Sequence, residues 1–213
     1  MTAMLDLQRI RNAPVRWEPY PYFVVEGAIA PSQAQKVAAE FPAIDRPGAI
    51  NVSETEYGPC FGALLDDLRS EDFRHLIADK LNVDLEGRDI IVNVRGQMRL
   101  TDGNIHTDTP SKLVTVLLYF NGPGETDKTG LRILKNGSDL NDYVEEIPPR
   151  LGNMVVFKVT PQCWHGHIAV PGKRLSLQLN YLSGVKTRGK HQLAHRLIGR
   201  MKRKIAHLFE RAA

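Results

Sequence analysis

The apolar positions of the chain keep two different rhythms, and the change falls near Asp89. Before it, Phe73, Ile77 and Leu81 recur at intervals of four, which lines one face of a helix. Ser70 stands where a hydroxyl caps the free N–H groups of that helix's first turn. Pro31 suits the first turn of an earlier helix reaching about Glu40, because its missing N–H has no intrahelical partner to lose there. A short extended run, Tyr22 to Val25, follows Pro19-Tyr20-Pro21. The stretch from Asp45 to Gly62 has little periodicity and carries Pro47, Gly48, Gly58 and Pro59, so it reads as a long loop of the kind that forms lids.

From Asp89 onward the period is two. Short runs rich in β-branched and aromatic residues cover Ile90 to Leu100, Leu113 to Asn121, Leu131 to Leu134, Tyr143 to Ile147, Met154 to Val159, His165 to Val170 and Arg174 to Leu182. Pro148 to Gly152 and Val170 to Lys173 read as turns, the second with Pro171 and Gly172 at the two central positions of a type II turn. Such a series of strands after two helices predicts a mostly β, α+β chain. The expected architecture is a double-stranded β-helix, the jelly roll of cupin-like proteins, with N-terminal helices beside it.

At 213 residues and 42% hydrophobic composition the chain fits one globular domain with a sizeable core, here placed at residues 1–185. Met1-Thr2-Ala3-Met4-Leu5-Asp6 has no basic region leading into an apolar stretch, so no secretory signal is expected. No apolar run reaches the roughly 18 residues that span a bilayer. Cys60 and Cys163 are too few for a disulfide framework, which favours a reducing, cytoplasmic setting.

The formal charge of +4 is unevenly spread. Nine basic side chains against Glu210 give residues 186–213 a charge of +8, so the rest of the chain carries −4. Leu193, Leu197, Met201, Ile205 and Leu208 form one helical stripe, which predicts a basic amphipathic C-terminal helix appended to the domain. Its charges are expected to be solvated, with an anionic membrane surface or an acidic partner as the candidate contacts. Nucleic acid is not expected, since the charges lack the interleaved aromatics of a stacking platform.

The candidate chemistry lies in the β half. His106 and Asp108 are two residues apart, so in an extended segment both face one side and can bind one ion. His165 and His167 also share a strand face, and periodicity does not choose between them, while Trp164 points away. Two imidazoles and one carboxylate can occupy one face of an octahedral Fe(II), leaving three adjacent positions open. Arg174, downstream of the histidines, is suited to grip the far carboxylate of a dicarboxylate through two parallel charge-assisted bonds, which points to 2-oxoglutarate. Arg95, Gln97 and Arg99 share one face of a strand and are candidates for reading a polar or anionic substrate. Gln178 and Asn180 alternate with Ser176 and Arg174 as candidate pocket residues.

The order His106-x-Asp108, Thr115, Leu118-Tyr119-Phe120-Asn121, Gly130-Leu131-Arg132, Pro149 to Gly152, Val156-Phe157, Trp164 to His167 and Arg174-x-Ser176 resembles the Fe(II)/2-oxoglutarate-dependent dioxygenases, specifically their prolyl-4-hydroxylase-like branch. The resemblance covers roughly residues 88 to 184. In that family the distal histidine ligand lies about nine residues before the arginine, which selects His165 and leaves His167 for substrate or for support of the ligands. The resemblance implies Fe(II) on His106, Asp108 and His165, and 2-oxoglutarate held by Arg174 and Tyr119 with Ser176 and Thr115 close by. It also implies O2 as co-substrate, ascorbate as a candidate reductant, and release of succinate and CO2. With a carboxylate at position 108, hydroxylation of a C–H bond is expected rather than the halogenation found where a small residue stands there. Thr129 replaces the first of two glycines that the family often has before the following strand.

The expected substrate is a polar small molecule. The alternative is a cupin-like metal protein that isomerises, hydrolyses or senses a ligand without 2-oxoglutarate, though a simple metal cup has no need of a dicarboxylate clamp built from Arg174, Tyr119 and Ser176.

Overall fold

The computed structural model describes residues 3–122 and 129–185; the proposed basic helix of residues 186–213 lies outside them. In chain order the elements are helix α1 (Leu7–Asn12), strand β1 (Tyr22–Val25), helix α2 (Pro31–Ala39), strand β2 (Ile50–Asn51), helices α3 (Pro59–Arg69) and α4 (Glu71–Leu81), then strands β3 (Arg88–Met98), β4 (Lys112–Tyr119), β5 (Leu131–Leu134), β6 (Tyr143–Ile147), β7 (Met154–Lys158), β8 (His165–Gly166) and β9 (Gly172–Val185). Among the described residues the strands form two sheets, one of six in the order β1-β7-β4-β9-β3-β2 and one of three in the order β6-β5-β8. Every pairing between these strands is antiparallel, an arrangement consistent with the expected jelly roll. No helix among the described residues is long and apolar enough to cross a membrane.

The period of two decides which face of the large sheet does what. Val114, Val116 and Leu118 of β4 and Leu177, Leu179 and Tyr181 of β9 face the helices, where Phe61, Leu64, Leu65 and Leu68 of α3 and Phe73, Ile77 and Leu81 of α4 complete a buried core. The alternate residues, Thr115, Leu117 and Tyr119 on β4 and Arg174, Ser176 and Gln178 on β9, line a cavity on the opposite face. A second apolar cluster joins the sheets: Tyr119, Val155 and Phe157 from the large one, with Leu131, Ile133 and Ile147 from the small one. Helices therefore brace one side of the large sheet and leave the other for the site.

The α4 reading holds: Ser70 caps the helix by accepting from the Phe73 N–H at 3.2 Å, and Phe73, Ile77 and Leu81 are fully buried. Three expectations are corrected. The proposed loop of 45–62 ends at α3, because Gly58 is the cap and Pro59 the first helical residue rather than breakers; Ile50–Asn51 and a short 3-10 turn, Val52–Glu54, also lie within it. The run from His165 to Val170 is a strand only over His165–Gly166. Gly172, at φ +135°, opens β9 instead of sitting inside a type II turn, and pairs with Met98.

Candidate active site

His106, in the loop after β3, forms an isolated antiparallel bridge with His165 of β8. Each backbone N–H donates to the other residue's carbonyl at 3.0 Å, and the two rings lie 4.3 Å apart. Their tautomers follow from their neighbours. Nδ1 of His106 is 2.8 Å from the Asn104 carbonyl oxygen and Nδ1 of His165 is 2.8 Å from that of Cys163. A carbonyl only accepts, so both protons belong on Nδ1 and both Nε2 lone pairs are free for a metal. Phe157 packs against the His165 ring at 4.9 Å and fixes its plane. Burial, with His106 close by, pushes the His165 imidazolium down to about 4, so the ring is neutral at physiological pH.

Asp108 completes the cluster: one ligand atom from each of His106, Asp108 and His165 lies within 4.8 Å of the others. Its two oxygens are held separately. Oδ1 accepts from Lys112 Nζ at 2.7 Å and Oδ2 from the Thr115 hydroxyl, which itself accepts from Asn180 Nδ2 at 2.8 Å. Burial alone would raise the carboxyl pKa, but the bonds from Lys112 and Thr115 and the lysine charge outweigh it and hold Asp108 below its usual range. Lys112 was absent from the sequence-based candidates. Its spacing of four from Asp108 signals contact in a helix, whereas here Asp108 lies in a loop and Lys112 opens β4.

The loop carrying His106 and Asp108 is placed by Gly103, at φ +86°; a Cβ there would collide with the His167 carbonyl oxygen and ring. His167 donates its backbone N–H to the Gly103 carbonyl at 3.0 Å. It lines the same cavity as the cluster, but only His165 joins His106 and Asp108. The two histidines that periodicity could not separate thus take different places.

At the other end of the cavity Arg174 lies over Tyr119, its Cζ 5.1 Å from the ring centroid, and both side chains are buried. Arg174 Nη2 donates to the Thr129 carbonyl at 3.3 Å, while Arg174 Nε and the Tyr119 hydroxyl have no hydrogen-bond partner among the described residues. Burial raises the Tyr119 pKa against the opposing charge of Arg174, so the phenol stays a neutral donor. Orphaned buried donors beside a cavity are what a bound anion satisfies. Asn121 fixes this end. Its amide donates to the carbonyls of Pro149 at 2.6 Å and Leu175 at 3.0 Å and accepts from the Leu175 N–H at 2.6 Å, tying the end of β4 to the residue beside Arg174.

The cavity encloses about 500 Å³. The structure brings His106, Asp108, His165, Arg174, Tyr119, Ser176, Thr115, His167, Arg95, Gln97 and Gln178 to its wall, together with Asp102, Asn104 and Lys112, which sequence reasoning missed. Two expectations are corrected. Arg99 lies past the end of β3 with its side chain 58% exposed, turned to Asp102 at 3.1 Å. Asn180 is buried outside the cavity lining, beside its cross-strand partner Thr115, to whose hydroxyl it donates.

The buried imidazoles predict an acid-labile metal-free protein. His167, like His165, is pushed down to about 4, by burial and then by Arg174, against 6.5 for a free imidazole. Between these values the unfolded chain binds more protons, so stability rises with pH there and is lost as pH falls from 6.5 toward 4. Thermal melts of metal-free protein at pH 7 and pH 5 should show this loss, with a smaller one in His167→Gln; an equal loss in wild type and variant removes His167 from the account.

Residues 97–182 match the family model described as the 2OG-Fe(II) oxygenase superfamily. No curated protein matches the chain in sequence. Among solved structures, a Pseudomonas putida prolyl-4-hydroxylase is similar at a TM-score of 0.56 and 20% identity, covering 78% of this chain and 87% of that one. The viral collagen prolyl hydroxylase of Paramecium Bursaria Chlorella virus-1, in a truncated form, is similar at a TM-score of 0.53 and 13% identity, covering 81% and 96%. At these identities the likeness is one of fold. The matched segment holds the His106, Asp108 and His165 cluster and the Tyr119 and Arg174 pair together, so the likeness to the 2OG-Fe(II) oxygenase superfamily falls on the part of the chain that builds the site.

Proposed function

We propose that this chain is a 2-oxoglutarate-dependent hydroxylase whose Fe(II) is held by Nε2 of His106, Nε2 of His165 and a carboxylate oxygen of Asp108. The observation that carries the reading is one cavity with a three-donor cluster at one end and two buried, unpartnered donors, Tyr119 Oη and Arg174 Nε, at the other. Two neutral imidazoles and one carboxylate suit a ferrous ion that must keep open positions. Bound there with 2-oxoglutarate and O2, the iron supplies the oxidising power to hydroxylate a C–H bond while 2-oxoglutarate becomes succinate and CO2.

The protein's part is geometric and electrostatic. Lys112 and Thr115 hold one Asp108 oxygen each and so set the carboxylate's rotation. The Arg174 guanidinium and the Tyr119 hydroxyl are placed to grip the far carboxylate of 2-oxoglutarate, with Ser176 beside them in the cavity wall. Leu117 and Leu131 give the wall between the two ends an apolar stretch.

A cavity of about 500 Å³ has room for the co-substrate and a small polar substrate or a single side chain. We take a small polar molecule as the substrate of a domain made of residues 1–185, with the basic segment 186–213 appended. The similar folds bear the name prolyl hydroxylase, so prolyl peptides belong in the same substrate screen.

The test is anaerobic addition of Fe(II) and then 2-oxoglutarate to metal-free protein. The expected result is a weak visible metal-to-ligand charge-transfer band that saturates with 2-oxoglutarate, followed by substrate-stimulated succinate release in air. Metal binding without that band overturns the 2-oxoglutarate reading and leaves the cupin-like alternative.

A further inference from the structure

The cavity holds a second guanidinium that the metal and the co-substrate do not use. Arg95 projects from β3 into the cavity wall, in a cross-strand row with Ser176 of β9 and Tyr119 of β4. It is half-buried and forms no hydrogen bond or close ion pair with a described residue, although the charge of Asp102 reaches it through space. The nearby carboxylate of Asp102 already accepts from the Arg99 backbone N–H at 2.8 Å and from its guanidinium at 3.1 Å. Lys112 is likewise engaged, on Asp108.

The charges in the cavity do not balance. Asp102 is matched by Arg99, and Arg174 by one carboxylate of 2-oxoglutarate. The other carboxylate and Asp108 together offset the doubly charged iron. Arg95 and Lys112 remain as excess positive charge. Lys112 at least keeps its contact with the metal-binding carboxylate, so Arg95, which feels the Asp102 charge only through space and shares it with Arg99, is the cation left facing the cavity without a bonded anion. A half-buried guanidinium is costly to leave unpaired, and its planar fork matches a carboxylate or a phosphate through two parallel bonds. Gln97, two residues on and also in the wall, adds an amide that can donate beside it.

We infer that Arg95, with Gln97, forms a substrate-anchoring site for an oxyanion, so that the molecule hydroxylated carries a carboxylate or a phosphate monoester. This rests on the proposed function, since it assigns Arg174 to 2-oxoglutarate. The substrate's anion docks on β3, across β9 from the strand that carries Tyr119, and its reactive C–H extends toward the His106, Asp108 and His165 end. A neutral analogue lacking the anion binds weakly, because it leaves Arg95 desolvated and unpaired.

The test uses the anaerobic Fe(II) complex saturated with 2-oxoglutarate, titrated separately with inorganic phosphate and with acetate against sodium chloride of equal ionic strength. Melting temperature and the charge-transfer band are followed. The wild type should show a saturable rise in melting temperature with at least one ion. Arg99→Gln should match it, Arg95→Gln should weaken it by about tenfold, and Arg95→Lys should recover part. Phosphate acting alone points to a phosphate monoester, acetate alone to a carboxylate, and the 2-oxoglutarate requirement should be unchanged in Arg95→Gln. The inference is overturned if neither ion binds saturably, if Arg95→Gln binds as wild type does, or if that variant loses 2-oxoglutarate affinity instead, which would assign Arg95 to the co-substrate. Absence of the band in wild type counts against the proposed function, not the anion site. The same ions titrated onto metal-free Arg174→Ala protein, with and without Arg95→Gln, then decide the site by itself.

Discussion

Asp108→Ala is expected to lower substrate-stimulated succinate release by at least about 100-fold. Loss of a residue that merely supports a metal ligand costs about 10- to 100-fold, and loss of a ligand itself costs no less. The substitution removes more than one donor atom. Asp108 is the anionic member of the His106, Asp108 and His165 cluster, and its oxygens are also the acceptors for Lys112 and Thr115. Without it, Lys112 is left as an unpaired ammonium beside the metal position, and that positive charge repels the ion the two imidazoles still offer to bind. Asp108→Asn separates the two effects. It keeps the shape and an acceptor for Thr115 but not the charge, so it should fold as wild type does and still bind Fe(II) weakly in an equilibrium titration. Wild-type metal affinity in Asp108→Asn, with a melting temperature also unchanged, would remove Asp108 from the metal site.

Much of this site was legible because its ligands lie at fixed offsets in extended chain. His106-x-Asp108 and the alternation of Arg174, Ser176 and Gln178 state in sequence which side chains share a face, and all five residues line the cavity. What alternation does not state is where a strand stops. Arg95, Gln97 and Arg99 read as one face, but β3 shifts register between Arg95 and Gln97 and ends at Met98, which releases Arg99 to Asp102. Asn180 obeys the alternation, yet it stands beside its cross-strand partner Thr115 and spends its amide on that hydroxyl instead of reaching the cavity. Helix α3 was misread for a different reason. Gly58 and Pro59 look like breakers, but glycine as N-cap and proline at the first position start a helix, and Phe61, Leu64, Leu65 and Leu68 carried the helical spacing all along. The Asp108–Lys112 pair was illegible because it joins a loop to a strand, where sequence distance says nothing about contact.

The second large effect belongs to the other end of the cavity. Arg174→Ala should raise the 2-oxoglutarate concentration for half-maximal formation of the charge-transfer band by about 100-fold or more. The guanidinium is buried, already anchored on the Thr129 carbonyl, and stacked on Tyr119, so it meets the co-substrate's far carboxylate with little reordering. Truncating one partner of a buried, hydrogen-bonded charge pair costs about 2–5 kcal/mol, and about 2.7 kcal/mol is a factor of 100 in affinity. Arg174→Lys should recover only part of this, since an ammonium is a point charge without the paired donors of the fork. Tyr119→Phe removes one neutral donor and should cost about tenfold or less. In all three variants the band should appear at the wild-type wavelength once 2-oxoglutarate is in excess, because His106, Asp108 and His165 are untouched. A half-saturation point that does not move in Arg174→Ala would show that 2-oxoglutarate, if it binds, is held elsewhere in the cavity, and Arg95 would then be the next guanidinium to replace.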